Sequence, residues 1–451
     1  MFEKGYTQTY EIDYEETFDP VTKMNTVKII LSLEAHFVWE MHKFDVKNDF
    51  LHGSSEEEVY MEIPPGYGAI NEGNKVCRLK KALYGLKQSP RAWFGRFTQA
   101  MVSLGYRQSQ VDHTLFIKHS QNGKLTVLLV YIDDMIITGH DEIEKQTLRL
   151  RVTAQLTKDL GKLKYFLRIE VAYSRQGIFI SQRKYILYLL KETKLGCKTT
   201  EVPIEQNHKI RNDEENSKVE KTQYQRLVVG KLIYLSHTRP DITYAVSVVS
   251  QFMHDPRERN LQAVNIIIPY LKATPGKELL FKKGKKLFMK IYTDVDYAGS
   301  IADKRSTTGY CMFLGGNLVT WRSKKQNVVA RSSAEEEFRA MAQGVCELLW
   351  MKIILDDLKI KHEVAMGLAC DNMFVINIAH NPFQHDRTKH VEIDRHFIKE
   401  KSDNSLIATK YIPSRLQLTD MFTKRLPTIQ RSYLEAGNDR YTFTNLSGSV
   451  A

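Results

Sequence analysis

The sequence holds no apolar run long enough to span a bilayer, and its start, MFEKGYTQ, lacks the apolar core of a secretory signal. No membrane partner is therefore expected, and an intracellular location, cytoplasmic or nuclear, is the default. The five cysteines (Cys77, Cys197, Cys311, Cys346 and Cys370) form no C-x-x-C pair. That argues against structural zinc and a disulfide framework, and for reduced, mostly buried thiols. Internal repeats, low-complexity tracts and a clustered basic tail are also missing. What is present is a globular composition of 451 residues, 42% hydrophobic and 26% charged. A chain of that length exceeds one ordinary core and predicts two or three domains. Its net charge of +12 is spread along the sequence and is compatible with a polyanionic partner such as nucleic acid.

Hydropathy periodicity places the elements. Residues 24–42 read as a helix leading into a strand at HKFDV, followed by a Gly-, Ser- and Glu-rich loop. KALYGLKQSPRAWFGRFTQAMVSLGY reads as a turn entering a helix with Phe94, Phe97, Met101 and Leu104 on one face. A charged helix is expected over about 141–156, and short strands over 165–171 and 177–181. The polar segment 200–221 reads as a linker, and 223–285 as mainly helical. Three strands follow (LFMKIYTDV, STTGYCMFLGG, NLVTWRSKKQ), then a long helix from Ser333 to about Leu358, the short strand GLACDN and further helices.

Acidic residues fall at the joints of this pattern. In LTVLLVYIDDMIITGH, Asp133 and Asp134 sit between two apolar runs that read as a buried hairpin. A tight turn would more naturally use Asn-Gly or Asp-Gly. Either the pair solvates a turn, or the hairpin carries carboxylates to a metal site. Asp45, at a strand end in KFDVKNDFL, could join them on one sheet surface. Two divalent metals held there would activate a 3′-hydroxyl and stabilise a leaving pyrophosphate. A second set comprises Asp294 in the first downstream strand, Glu337 in the first turn of the long helix, Asp371 after GLACDN, and Asp420 opening a helix in QLTDMFTK. Each alone reads better as a solvated charge at a helix start or strand end. In that order they have the layout of an RNase H-like nuclease.

Long ordered blocks then carry a resemblance: GYTQTYEIDYEETFDPV, FDVKNDFLHG, VYMEIPPGY, VCRLKKALYGLKQSPRAW, YIDDM, DLGKLKYFL, GKLIYLSHTRPDI, STTGYCMFLGG, SKKQNVVARSSAEEEFRAM and RTKHVEIDRHF. From about residue 4 to about 427 the chain resembles the reverse transcriptase–RNase H region of copia-type LTR retrotransposon Pol polyproteins. The resemblance implies a multidomain α+β and α/β fold. A right-hand polymerase palm with partial fingers would span 1–172, and a helical thumb and connection 173–285. An RNase H-like domain would span 286–430, and a divergent tail 431–451. It implies RNA-directed DNA polymerase and RNase H activity, with two Mg²⁺ or Mn²⁺ ions per site. The implied partners are an RNA template, a DNA primer, an RNA/DNA hybrid and deoxynucleoside triphosphates.

Carried over residue by residue, Asp45, Asp133 and Asp134 are the palm metal ligands, Asp133 and Asp134 forming the YxDD pair that Tyr131 opens. Asp294, Glu337, Asp371 and Asp420 are the nuclease ligands, with Glu335 the weaker substitute for Glu337. Phe50 matches the residue under the incoming sugar, and Gln88 the loop over the nascent base pair. Lys87 and Arg91, with Lys80 and Lys81, form a basic cluster that reads as a phosphate track or as a solvated face. Tyr84, Trp93 and Phe94 read as stacking groups or as core. His385, His390 and His396 lack cysteine partners for zinc.

The chain also departs from the family. The family's basic fingers segment upstream of KGYTQ has no counterpart, so a truncated, degenerate copy is expected. Asp49 stands where the family has a small residue, and Arg168 where it has glycine. Pro269 falls inside a helix and is expected to kink or break it. Glu336, in place of alanine, reads as a mild change. The alternative reading is therefore a catalytically inactive, nucleic-acid-binding remnant.

Overall fold

The computed structural model describes residues 22–46, 60–63, 76–78, 89–131, 134–155, 157–193, 198–204, 217–300, 303–362, 364–380, 392–426 and 443–445. They fall into two compact units. The first comprises 22–27, 39–163 and 356–359, and the second 28–38, 164–355 and the residues from 360 onward. No helix among the described residues is long and apolar enough to cross a membrane.

After α1 (Met24–Phe37), the first unit contains β1 (His42–Val46), β2 (Tyr60–Glu62), β3 (Val76–Arg78), α2 (Ser89–Ser103), β4 (Arg107–Gln108), β5 (Leu115–His119), β6 (Leu125–Tyr131), β7 (Asp134–Gly139), α3 (Glu142–Gln155) and β8 (Thr157–Lys162). Six strands form an antiparallel sheet in the order β4-β5-β6-β7-β1-β8. Helix α2 carries Trp93, Phe97 and Met101 at fourfold spacing, which aligns them along one stripe. That stripe and Leu148 of α3 pack on Phe44, Phe116, Leu128, Val130, Met135 and Ile137 of the sheet. Strand alternation then assigns Lys43, Asp45, Tyr131 and Asp134 to the opposite face. The expected hairpin is β6–β7, paired from Thr126↔Gly139 to Tyr131↔Asp134.

The second unit opens with β9 (Tyr165–Phe166), β10 (Ile169–Ser174), β11 (Gly177–Ser181) and α4 (Arg183–Thr193). A continuous helical run follows: α5 (Lys221–Leu227), a π-helical segment (Val228–Ile233) and α6 (Tyr234–Ser236). The Tyr185 hydroxyl donates to the Gly230 carbonyl within that segment at 3.3 Å. Then come α7 (Thr243–Ser250), α8 (Glu258–Ala273) and β12 (Lys277–Phe281). The end of the stretch expected to be helical is thus a strand: KELLF pairs with β11, and β18 (Phe443–Asn445) pairs with its other edge. Tyr185, Ile186 and Leu189 of α4 meet Val246, Val249, Val264, Ile267 and Leu271 in a helical core.

Helix α8 continues through Pro269 without the expected break. Proline removes one donor near the C-terminal end of the helix, and the helix is held by its surroundings. Ile267, Ile268, Pro269, Tyr270 and Leu271 are all buried, and the Thr200 hydroxyl donates to the Ile266 carbonyl at 3.4 Å. Arg168 does occupy a position that favours glycine. It and Leu167 form the two-residue turn between β9 and β10, with φ of +56° and +49°, a left-handed geometry that penalises a Cβ. The Arg168 guanidinium lies 5.6 Å from the centre of the Tyr185 ring.

The remainder of the unit comprises β13 (Met289–Asp296), β14 (Thr307–Leu314), β15 (Asn317–Lys325), α9 (Ser333–Asp357), β16 (Met366–Cys370), α10 (Met373–His380), α11 (Glu392–Asp403), β17 (Ile407–Tyr411) and α12 (Asp420–Thr423). Its five-stranded sheet has the order β15-β14-β13-β16-β17. The first three strands pair antiparallel, while β16 runs parallel to both β13 and β17. Of the described cysteines, Cys311 and Cys370 are buried as expected, whereas Cys346 on α9 is exposed and Cys77 intermediate.

Candidate active sites

In the first unit, the β1–β7 register sets Asp45 directly opposite Asp134, and Tyr131 opposes Asp134 from β6. Directly opposed residues in an antiparallel pair share a face, with Cβ atoms about 5 Å apart. Two carboxylates widely separated in sequence therefore meet on one sheet surface. Lys43 lies two residues before Asp45 on the same face, and its Nζ is 2.8 Å from Asp134 Oδ1. Trp93 is buried in the core, so it is no stacking platform, and the half-buried Phe94 packs against that core. Arg91 is exposed on α2. Asp133, Phe50, Lys87 and Gln88 lie outside the described residues, as do Asp49, Lys80, Lys81, Tyr84, His385 and His390. His396 faces Glu392 at 3.6 Å on α11.

The second unit holds a tighter cluster. Carboxylate oxygens of Asp294 (β13), Glu337 (α9) and Asp371 (after β16) all lie within 4.8 Å of one another. The approach of α9 to β13 depends on Gly344, where a Cβ would meet Thr293 Cγ2 at 2.7 Å. Gly309 does the same for α12 against β14, since a Cβ there would meet Thr423 Cγ2 at 2.6 Å. Both glycines were unmarked in the sequence reading, although each lies in one of the matching blocks or in the long helix.

Asp294 and Glu337 are buried and Asp371 is partly so. Burial pushes the Glu337 carboxyl well above its ordinary range, and the charges of Asp294 and Asp371 add to this. The buried Cys370 thiol faces Glu337 Oε2 at 3.9 Å. Asp420, the first residue of α12, is also buried; desolvation, helped by Asp294 and Asp371, raises its carboxyl to about 6. Carboxylates crowded in a desolvated pocket repel one another unless a cation neutralises them, and an all-carboxylate donor set suits a hard ion such as Mg²⁺ or Mn²⁺.

Neighbouring groups hold these acids in place. Thr423 Oγ1 donates to Asp294 Oδ2, and Gln417 Nε2 bonds the Thr293 carbonyl at 2.9 Å while reaching Asp371 Oδ1 at 3.4 Å. Lys424 Nζ lies 2.8 Å from Asp420 Oδ1 and 3.3 Å from Asp294 Oδ2. The sequence reading passed over this lysine, yet its i,i+4 spacing from Asp420 was a usable signal. Glu335 is engaged elsewhere, pairing with Arg339 and accepting the Arg331 amide at 2.8 Å. Glu336 is not the mild replacement expected. It is 1% exposed, takes the Ser306 hydroxyl on one oxygen and leaves the other without a hydrogen bond among the described residues. Burial raises its pKa.

Residues 1–206 match the family model described as reverse transcriptase (RNA-dependent DNA polymerase). The chain is 40% identical to the retrovirus-related Pol polyprotein from transposon RE1 of Arabidopsis thaliana, over 94% of this chain and 29% of the polyprotein. It is 36% identical to the corresponding polyprotein from transposon TNT 1-94 of Nicotiana tabacum, over 94% of this chain and 32% of that one. It thus spans about a third or less of these relatives. A putative transposon Ty5-1 protein of Saccharomyces cerevisiae is matched over its whole length, at 30% identity and 67% of this chain. Among solved structures, a foamy viral protease-reverse transcriptase in complex with dsDNA aligns at 10% identity with a TM-score of 0.43, covering 83% of this chain and 68% of that one. The chain belongs to the reverse transcriptase family of copia-type retrotransposon Pol polyproteins.

Proposed function

We propose that this chain is an RNA-directed DNA polymerase joined to a ribonuclease H, with Asp45, Asp133 and Asp134 serving the first activity and Asp294, Glu337, Asp371 and Asp420 the second. The observation that carries the reading is the convergence of Asp294, Glu337 and Asp371 within 4.8 Å. These acids come from a strand, a helix and a strand end up to 77 residues apart (371 − 294), and the three-strand, helix, strand layout supports an RNase H-like domain. The facing of Asp45 and Asp134 supports the palm in the same way.

Asp294, Glu337, Asp371 and Asp420 would hold two Mg²⁺ or Mn²⁺ ions, as would the palm acids; bound there, the ions supply a Lewis acid and lower the pKa of an attacking water or 3′-hydroxyl. The chain's own contribution is to preorganise oxygen donors. Thr423 and Gln417 fix Asp294 and Asp371, and Gly309 and Gly344 permit the close helix–strand approach that brings Glu337 and Asp420 to them. Burial keeps the donors partly dry, which strengthens their interaction with any cation. RNA template, DNA primer, RNA/DNA hybrid and deoxynucleoside triphosphates are the substrates of this reading.

Specific observations favour the second reading, an inactive remnant: Arg168 sits in a left-handed turn, and Glu336 is buried with one oxygen unpaired among the described residues. Primer extension on a labelled RNA template with Mg²⁺ separates the two. Extension lost in Asp134→Asn and template cleavage lost in Asp294→Asn establish both activities. Folded protein that binds hybrid with salt-dependent affinity, yet neither extends nor cleaves, establishes the remnant.

A further inference from the structure

Among the described residues, one ammonium, that of Lys424, is ion-paired with acids of the second unit's carboxylate cluster. Lys424 Nζ stands between Asp294 Oδ2 and Asp420 Oδ1, at 3.3 and 2.8 Å. Asp294 has a side chain only 3% exposed, whereas that of Lys424 is 39% exposed. The ammonium therefore sits against a nearly closed carboxylate, while part of its own side chain reaches solvent. The backbone beneath it is fixed. Phe422 and Thr423 are buried, Gly309 lets α12 press on β14, and the next residue, Arg425, hydrogen-bonds Tyr244 of α7. Movement is thus left to the four-carbon stem of Lys424, a flexible carrier of a compact, hydratable charge.

We propose that Lys424 is a built-in counter-cation of this site. It neutralises Asp294 and Asp420 when no divalent ion is bound, and it is displaced toward solvent when one is. Lys424 thereby sets the divalent-ion concentration at which the Asp294–Asp420 side of the site fills, and it keeps the empty cluster from repelling itself apart. This rests on the reading of the four acids as metal ligands, and adds competition by a residue of the chain itself. A lysine that merely tethered α12 would stabilise the fold without opposing ion binding, which gives the two roles different signatures.

The test is direct Mn²⁺ binding to the full chain, followed by electron paramagnetic resonance, for the wild type, Lys424→Gln, Lys424→Arg and Asp294→Asn. Binding removed by Asp294→Asn is assigned to this site. Competition predicts that Lys424→Gln binds there at least about tenfold more tightly (roughly 1.4 kcal/mol per tenfold), while Lys424→Arg, which keeps the charge, binds no more tightly than the wild type. Unchanged affinity in Lys424→Gln, with Asp294→Asn impaired, overturns the competition and leaves the metal site standing. Full binding in Asp294→Asn instead overturns the metal-site reading itself. A measurement on the unmutated chain covers the case in which Lys424→Gln does not fold. Acetylation of Lys424 by acetic anhydride, read by mass spectrometry, is expected to rise severalfold on adding Mn²⁺. An unchanged or reduced rate refutes displacement.

Discussion

Neutralising Glu337 should make the metal-free protein more stable. Its carboxylate lies within 4.8 Å of those of Asp294 and Asp371, and at an effective permittivity of about 20 each fully ionised pair at that separation repels by about 3.5 kcal/mol. Two such pairs overstate the strain, because burial and the charges of Asp294 and Asp371 raise the Glu337 pKa, and a shifted protonation equilibrium relieves part of the repulsion. The amide of Glu337→Gln keeps the volume and removes the charge, so a net gain of about 1–3 kcal/mol is expected. For a unit of this size that corresponds to roughly 3–8 °C in Tm. Calorimetry of both proteins in EDTA and in excess Mg²⁺ checks it. The wild type should gain stability with Mg²⁺, and Glu337→Gln should start higher and gain little. A lower Tm for Glu337→Gln in EDTA, or an undiminished response to Mg²⁺, would refute the account of this cluster as a frustrated cation site.

Three further outcomes are expected. At the left-handed Arg168, Arg168→Gly should be more stable than Arg168→Ala by about 1 kcal/mol, because both lose the Tyr185 contact and only glycine escapes the Cβ penalty; equal urea midpoints would contradict this. His237 has its pKa lowered to about 4, first by burial and then by the nearby Lys28 charge. The folded state therefore binds fewer protons than the unfolded one, and stability should fall as pH drops from about 6.5 toward about 4, by roughly 2 kcal/mol at pH 5. His237→Asn should flatten that part of the profile; an unaltered profile assigns the acid sensitivity elsewhere. Finally, Lys43→Gln frees Asp134 from its 2.8 Å ion pair and should lower the Mg²⁺ concentration needed for half-maximal primer extension severalfold, whereas an unmoved Mg²⁺ dependence would rule out any control by Lys43.

The parts of this fold that could be read from sequence were those with a strong local period. The α2 stripe of Phe97 and Met101, the β6–β7 hairpin and the long helix from Ser333 all carry their burial pattern in consecutive residues. Elements defined by distant partners were hidden. KELLF looked like the end of a helical stretch because its strand character comes from pairing with β11 and β18. Pro269 misled because a local rule was overridden by the packing of buried neighbours. For the sites, the acids were visible as residue types at element ends, but the Asp45↔Asp134 register was not, since β1 and β7 are neighbours only through the sheet. The groups that manage the acids (Lys43, Gln417, Thr423 and Lys424) were overlooked because their roles depend on where the acids meet.

The π-helical segment Val228–Ile233 has a consequence for how this chain can change length. A π turn accommodates one residue more than an α turn, so it absorbs an insertion while the helical faces on either side keep their directions. Loss of one codon between 228 and 233 would restore an ordinary α-helix, leaving Tyr224 aimed at the Val249 carbonyl and the Ser236 carbonyl at Trp321 Nε1. The same deletion within α8 would turn every later buried residue by about 100°. A lineage that accumulates copying errors would therefore carry single-residue length variants in the first helix and purge them from the second.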